Sequence, residues 1–441
     1  MAQQVAGFPF WEVRFDEQGR PVDSSAIDEF VSGVASEGLT DLWLISHGWN
    51  SSPETSRRLY ARFLAEIRSV LDSGGASLNE GVRLGAAGII WPAMRWADEE
   101  PGAGAGGPAS GAGGARPDAE MVLDLKAVYA EPAQQAALDG LSQLLKDRPR
   151  DPKALARFQE LMRELTSDPD AADTPEDSGE RHMLEEDPRE VFERFADEDS
   201  DESDDQGGPA GLRDAWGKVW EGAKTALRQA TYWQMKKRAG VVGKEGLAPI
   251  VGRLVTSRPG LRVHLVGHSF GARLMSFVLP GVRGEGAASP VKSLFLLQGA
   301  FSHWAFASSL PFDRSRGGAL AGMASRVDGP LLVSHTVHDS AVGTFYPLTS
   351  MTTNDYTAAG GGERISKWGA MGHDGAQAVG AAELRFLPVG RGYSFEAGKF
   401  VNLDGNNLIK EGGPPAGAHT DIFHPEIAWA ALSAAGVLKA S

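Results

Sequence analysis

Residues 263–273 read VHLVGHSFGAR. A short apolar run ends in Gly267-His268-Ser269-Phe270-Gly271, and ARLMSFVL follows with helix-compatible spacing. The reading is strand, tight turn, helix, with Ser269 on the turn. Glycines at 267 and 271 let the chain turn there without side-chain clashes. A serine on such a turn is exposed on strained backbone. The first N–H groups of the following helix point at the same spot, where a developing oxyanion would be stabilised. Gly-x-Ser-x-Gly alone is a weak signal in a chain with 55 glycines among 441 residues, so its surroundings must decide.

Working outward, residues 40–49 (TDLWLISHGW) form a short apolar run that predicts a buried strand. Ser52 then offers an N-cap with Pro53 at the first helical position. Leu59, Phe63, Ile67 and Leu71 recur every four residues until Gly74. Residues 84–92, 291–301 and 329–339 are further strand candidates, and 382–405 suggests hairpin-like strands around Gly390–Gly392. Helices are predicted over about 212–240 and 245–257 and at the C-terminal HPEIAWAALSAAGVL. Apolar strands alternating with helices predict an α/β fold with a mostly parallel central sheet and helices on both faces.

The segment 101–210 interrupts this pattern. It opens with PGAGAGGPASGAGGAR, a flexible low-complexity stretch. A polar, helical piece follows, clearest at Leu155–Leu165, and then an acidic tract. Residues 167–206 hold 18 acids and 3 bases, which is the whole net charge of −15. The predicted organisation is a first core part (1–100), a partly disordered, largely mobile acidic insertion (101–210) and a second core part (211–441). The acidity argues against nucleic acid as a partner. It leaves a protein partner for the insertion open.

The chain has no cysteine, which excludes disulfides, thiolate metal sites and cysteine nucleophiles. The N-terminus lacks a basic region followed by an apolar run, and no run of transmembrane length occurs. A cytoplasmic protein is expected, with signal-less export open. No metal is expected: there is no HExxH, and His335 and His338 would point to opposite faces of a strand. No cofactor motif is present; the glycine-rich 101–116 lacks the GKS/T ending of a phosphate loop.

Four stretches together resemble the α/β-hydrolase family: ISHGWNSS (45–52), LVGHSFGARL (265–274), SHTVHDSAVG (334–343) and GAHTDIFHPE (417–426). The resemblance covers roughly residues 8–96 and 211–441, and it runs in the family's order of nucleophile, acid and histidine. It implies Ser269 as nucleophile, His419 as base and Asp339 as the acid that orients the base. His424 is the alternative base. Asp313, Asp355 and Asp404 are fallback acids, whereas Asp421 lies too near His419 in sequence to be preferred. Phe270 and Trp49 would give the two oxyanion N–H groups, with Asn50 as alternative to Trp49 and Gly48 in the same loop. His268 is expected to pack beneath the turn, pointing away from the reacting face, and His47 to make a structural hydrogen bond.

The implied activity is a serine esterase or lipase-like hydrolase, acting on a small-molecule or lipid ester through an acyl-enzyme. Trp49, Trp91, Trp96 and Trp304 could line an apolar acyl pocket. Two other readings stand beside it. One is a non-catalytic scaffold whose acidic insertion docks a basic partner, since fold does not fix function. The other is a membrane-acting, lipase-like effector that uses Trp216, Trp220 and Trp233 on a movable lid.

Overall fold

A computed structural model describes residues 2–49, 51–74, 76–93, 118–127, 129, 131–166, 184–200, 215–343, 356–358, 364–366, 369–413 and 416–439. Its centre is a nine-stranded mixed sheet. The strands are β1 (Gln3–Val5), β2 (Phe8–Arg14), β3 (Asp41–Ser46), β4 (Leu84–Ile90), β5 (Arg262–His268), β6 (Val291–Leu297), β7 (Leu331–His335), β10 (Ala382–Arg385) and β11 (Phe400–Asp404). Their spatial order is β1-β2-β4-β3-β5-β6-β7-β11-β10. Within this sheet β1 and β2 alone pair antiparallel. They are joined by a tight turn at Ala6 and Gly7, both with positive φ. A separate small ribbon pairs β8 (Tyr356–Ala358) with β9 (Arg364–Ser366).

The central strands read as continuous apolar runs because helices cover both faces. All six residues of β3 and all seven of β4 are buried. One face carries α1 (Ser24–Ser36), α7 (Ala215–Val241), α8 (Ala248–Ser257) and α9 (Phe270–Ser276), whose apolar residues share one core. The other face carries α2 (Pro53–Asp72) and the C-terminal α10 (Pro425–Ala435), with Tyr60, Phe63, Ile427 and Leu432 in a second core. α2 starts as the sequence predicts: Ser52 Oγ accepts from the Thr55 N–H, and Pro53 opens the helix.

This layout creates a switch point in the connectivity. After β3 the chain enters α2 on one face and returns to the sheet as β4, on one side of β3. After β5 it enters α9 on the opposite face and returns as β6, on the other side. The loops leaving the carboxyl ends of β3 and β5 therefore diverge. Such a switch point is where open parallel sheets bind ligands.

Three expectations are corrected. The segment 382–405 is not a hairpin: β10 and β11 run parallel. The long connection 386–399 gives the chain room to cross over, which a hairpin turn does not. Of the insertion, 101–117, 167–183 and 201–210 lie outside the described residues; its described residues, including 184–200, expected as part of a mobile tract, form a packed helical layer. It consists of α3 (Asp118–Asp124), α4 (Pro132–Asp147), α5 (Pro152–Thr166) and α6 (Pro188–Ser200) laid against α7. Phe158 meets Phe192 and Trp220 edge-on at 5.7 and 5.6 Å, and all three rings are fully buried. Val191, Phe192 and Phe195 turn inward while Glu190 and Glu193 turn out, so a net charge count hid an amphipathic helix.

The third correction concerns the tryptophans. Trp220 and Trp233 are core residues, and Trp216 lies beneath Arg189 while packing on the same core. They do not form the exposed apolar face that a membrane lid would need. No helix among the described residues is long and apolar enough to cross a membrane.

Candidate active site

β5 delivers Ser269 to the N-cap of α9 with φ 57° and ψ −124°, a conformation rarely adopted by any residue with a side chain. Strain of this kind costs about 1–3 kcal/mol and persists only where the surroundings over-determine it. Here the Ser269 N–H donates to Leu297 O (3.0 Å), and Ser269 O accepts from Ala272 N (3.0 Å) and Ala300 N (3.3 Å). The flanking glycines are needed for space. A Cβ on Gly267 would lie 2.2 Å from Gly271 O, and one on Gly271 would lie 2.3 Å from Ser46 O and 2.5 Å from His47 O. The turn thus presses against the end of β3.

That contact brings the β3 loop onto the serine. A Cβ on Gly48 would fall 2.5 Å from Ser269 Cβ and 2.9 Å from Ser269 Oγ. The loop is rigid below this point. His47 Nδ1–H donates to Gly48 O at 2.8 Å, and its ring stacks on Trp91 at 5.4 Å. Trp91 Nε1–H donates to His47 O at 3.1 Å. Burial pushes the His47 pKa down to about 4, so the ring is neutral and structural, as expected. Phe270 opens α9, so its N–H lies among those with no acceptor inside the helix. Asn50, Trp96 and Asp355 lie outside the described residues. Trp91 and Trp304 are buried core residues, whereas Trp49 is half-buried beside Gly48.

Asp339 follows β7 and is wholly buried. Its Oδ1 accepts from Val342 N (3.2 Å), and its Oδ2 accepts from Gln298 Nε2 (2.9 Å) and from His419 Nδ1 (2.8 Å). A carboxylate on Nδ1 fixes the proton there and leaves the His419 Nε2 lone pair free for a proton. His419 lies on a turn beyond β11, and Ala418 N donates to His338 O next to Asp339. The alternatives are occupied elsewhere. His424 Nε2 pairs with Asp421 at 2.8 Å, Asp313 caps Ser315 at the surface, and Asp404 accepts from Asn406 N.

His268 does more than pack beneath the turn. Its Nε2–H donates to His419 O at 2.8 Å, and the two rings lie 4.8 Å apart. Burial and the neighbouring His419 push its pKa down to about 3, so it is a neutral donor. It ties the residue beside Ser269 to the loop carrying His419. Among the described residues, no direct hydrogen bond joins Ser269 Oγ to His419; the link runs through His268.

No protein-family model, curated protein or solved structure matches this chain. The site therefore has to be read from its geometry. Gln298, at the end of β6, escaped the sequence reading. Its Nε2 also donates to Gly372 O (3.1 Å), its Oε1 accepts from Ser334 Oγ (2.8 Å), and it adopts φ 46°. An amide fixed in this way has one N–H left for Asp339. The signal in sequence was a polar residue before a glycine at the end of an apolar strand, LFLLQGA.

Two other histidine–aspartate groups show that such pairing alone does not define a site. His264 bridges Asp41 (2.9 Å) and Ser293 (2.9 Å) across β3, β5 and β6, wholly buried near the opposite end of the sheet. Its serine lies within a strand, with no turn to present it. Asp374 accepts from His303 (2.9 Å) and His373 (2.7 Å), and the hydrogen bond that His373 donates to Asp374 raises the His373 pKa. Ser269 differs from Ser293 in its strained turn and in the glycine loop against its Oγ.

Proposed function

We propose that the protein is a serine hydrolase of the α/β-hydrolase fold that cleaves a carboxylic ester through an acyl-enzyme. The observation that carries the reading is the 2.8 Å bond from His419 Nδ1 to the buried Asp339, made beside a serine held at φ 57°. The strand order and the switch point between β3 and β5 support the fold assignment.

In this reading His419 Nε2 takes the proton of Ser269 Oγ as the oxygen attacks the ester carbonyl. Asp339 stabilises the imidazolium that results, and Gln298 keeps Asp339 aligned. The N–H groups of Phe270 and Trp49 receive the oxyanion. The imidazolium returns its proton to the departing alkoxide, leaving an acyl group on Ser269. Water then repeats the sequence, with His419 as base, and releases the acid. With their pKa values pushed down by burial to about 3 and about 4, His268 and His47 are neutral near pH 7 and add no competing charge.

The test is hydrolysis of a p-nitrophenyl ester series from acetate to octanoate, with Ser269→Ala and Asp339→Asn as controls and circular dichroism as the check of folding. Turnover lost in folded Ser269→Ala supports the reading; turnover retained there removes it.

A further inference from the structure

α7 brings one ring of the helical layer onto the loops beside Ser269. The Tyr232 ring lies 4.6 Å from that of Phe270, tilted by 48°. It also lies 5.4 Å from the Trp49 ring, at 89°. Tyr232 and Phe270 are buried, and Trp49 packs against the same core. The two rings it touches belong to the residues assigned the oxyanion N–H groups, and they come from separate strands, β3 and β5. Shifting the backbone segment that carries either N–H also shifts the Cα–Cβ bond and the ring of that residue. A ring lodged against both side chains therefore restrains both donors at once.

We propose that Tyr232 is a positioning residue for the oxyanion hole, a spacer that sets the Trp49 loop against the Phe270 turn. The proposal rests on the serine-hydrolase reading of the same site. It gives the insertion a role in the chemistry. α5 and α6 pack on α7 through Phe158, Phe192 and Trp220, three turns of one continuous helix before Tyr232. A Cβ on Gly222 would fall within 1.8 Å of Phe192 O, so α6 and α7 are in backbone contact. The helical layer thereby fixes the ring that fixes the donors.

The experiment compares Tyr232→Phe, Tyr232→Leu and Tyr232→Ala in the full chain. Each is assayed with p-nitrophenyl butyrate and with its thionoester, in which sulfur stands where the oxyanion forms. A well-formed hole discriminates against sulfur, and a loosened hole loses that discrimination. Tyr232→Phe keeps the ring and retains kcat within about twofold. Tyr232→Leu lowers kcat roughly 10- to 100-fold, short of the loss expected for deleting a donor outright, with KM little changed. Its oxygen-to-sulfur rate ratio falls with kcat. Tyr232→Ala follows Tyr232→Leu where it folds, and the leucine variant carries the test where it does not.

Wild-type kcat in folded Tyr232→Leu would overturn the inference. So would an activity loss with an unchanged oxygen-to-sulfur ratio, since that marks general damage. A wild-type protein that hydrolyses no ester removes the functional reading itself, an outcome distinct from both.

Discussion

Replacing Gly48 by alanine puts the closest contact of the site under test. The new Cβ would lie 2.5 Å from Ser269 Cβ, 2.9 Å from Ser269 Oγ and 3.2 Å from His268 O. Unstrained carbon atoms sit about 3.5–4.0 Å apart, so the two segments must separate by about 1 Å or more. Neither can yield easily. Ser269 is held through its N–H and its carbonyl, and Gly48 O is held by the buried His47 ring. Overpacking of this kind costs roughly 1–3 kcal/mol of stability. Misplacing a reacting group by about 1 Å costs on the order of 100-fold in rate. Gly48→Ala should therefore fold, melt a few degrees lower, and lose about 100-fold in kcat/KM on p-nitrophenyl butyrate. Gly252→Ala is the control, because nothing lies within 4 Å of its added Cβ. It should keep full activity and gain up to about 1 kcal/mol from the removal of a helical glycine. Wild-type kcat/KM in Gly48→Ala would refute the claim that this loop abuts a working nucleophile.

Other consequences follow from the same geometry. Gln298→Leu removes a donor to Asp339 and a partner of Ser334; it should lower kcat at least tenfold and cost about 1–3 kcal/mol in urea unfolding. Phe192→Ala, in the helical layer, should cost about 3–5 kcal/mol, whereas a mobile segment would lose almost nothing. Acid should weaken the fold through His47 and His268. Each is held neutral when folded, with its pKa pushed down to about 4 and about 3, while the unfolded chain binds the proton near 6.5. Stability is therefore complete above pH 6.5 and falls as the pH drops toward the folded values. Each group contributes about 1.4 kcal/mol per pH unit in that window, read from urea midpoints between pH 7.5 and 4.5. A His268→Asn variant should show a shallower slope.

The parts of the fold that were legible in sequence are those fixed by local pattern. β3 and β5 are buried on both faces and read as short, mostly apolar runs. α2 announces itself by the Ser52–Pro53 start and its four-residue period. The parts that escaped depend on partners far along the chain. Alternation at 382–405 marks strands but carries no information on whether neighbours run parallel, and the crossover decided that. In α6 the many acids outweighed the spacing of Val191, Phe192 and Phe195, which became meaningful only once α7 supplied a surface. His419 and His424 have similar local sequence, and each found its own aspartate; the buried position of Asp339, set by β7, separates them. Gln298 and Tyr232 carry no motif at all, and their positions beside Asp339 and Phe270 exist only after β6 and α7 have packed.

The glycines around Ser269 illustrate how a short motif can encode long-range contact. Gly267 and Gly271 are small because the turn, the start of α9 and the end of β3 approach one another too closely for a side chain. The motif is thus a packing requirement as much as a backbone one. It positions the serine where the loops leaving two neighbouring strands, β3 and β5, can reach it.

The most direct test of the account is reaction with a fluorophosphonate probe, read by intact mass and peptide mapping, on the wild type, Ser269→Ala and His419→Ala. An activated serine attacks phosphorus and keeps the adduct; an ordinary buried serine does not react. The account predicts one adduct, mapped to Ser269, absent in Ser269→Ala and strongly reduced in His419→Ala. A folded wild-type protein that takes up no probe, or that labels equally well without His419, would contradict it.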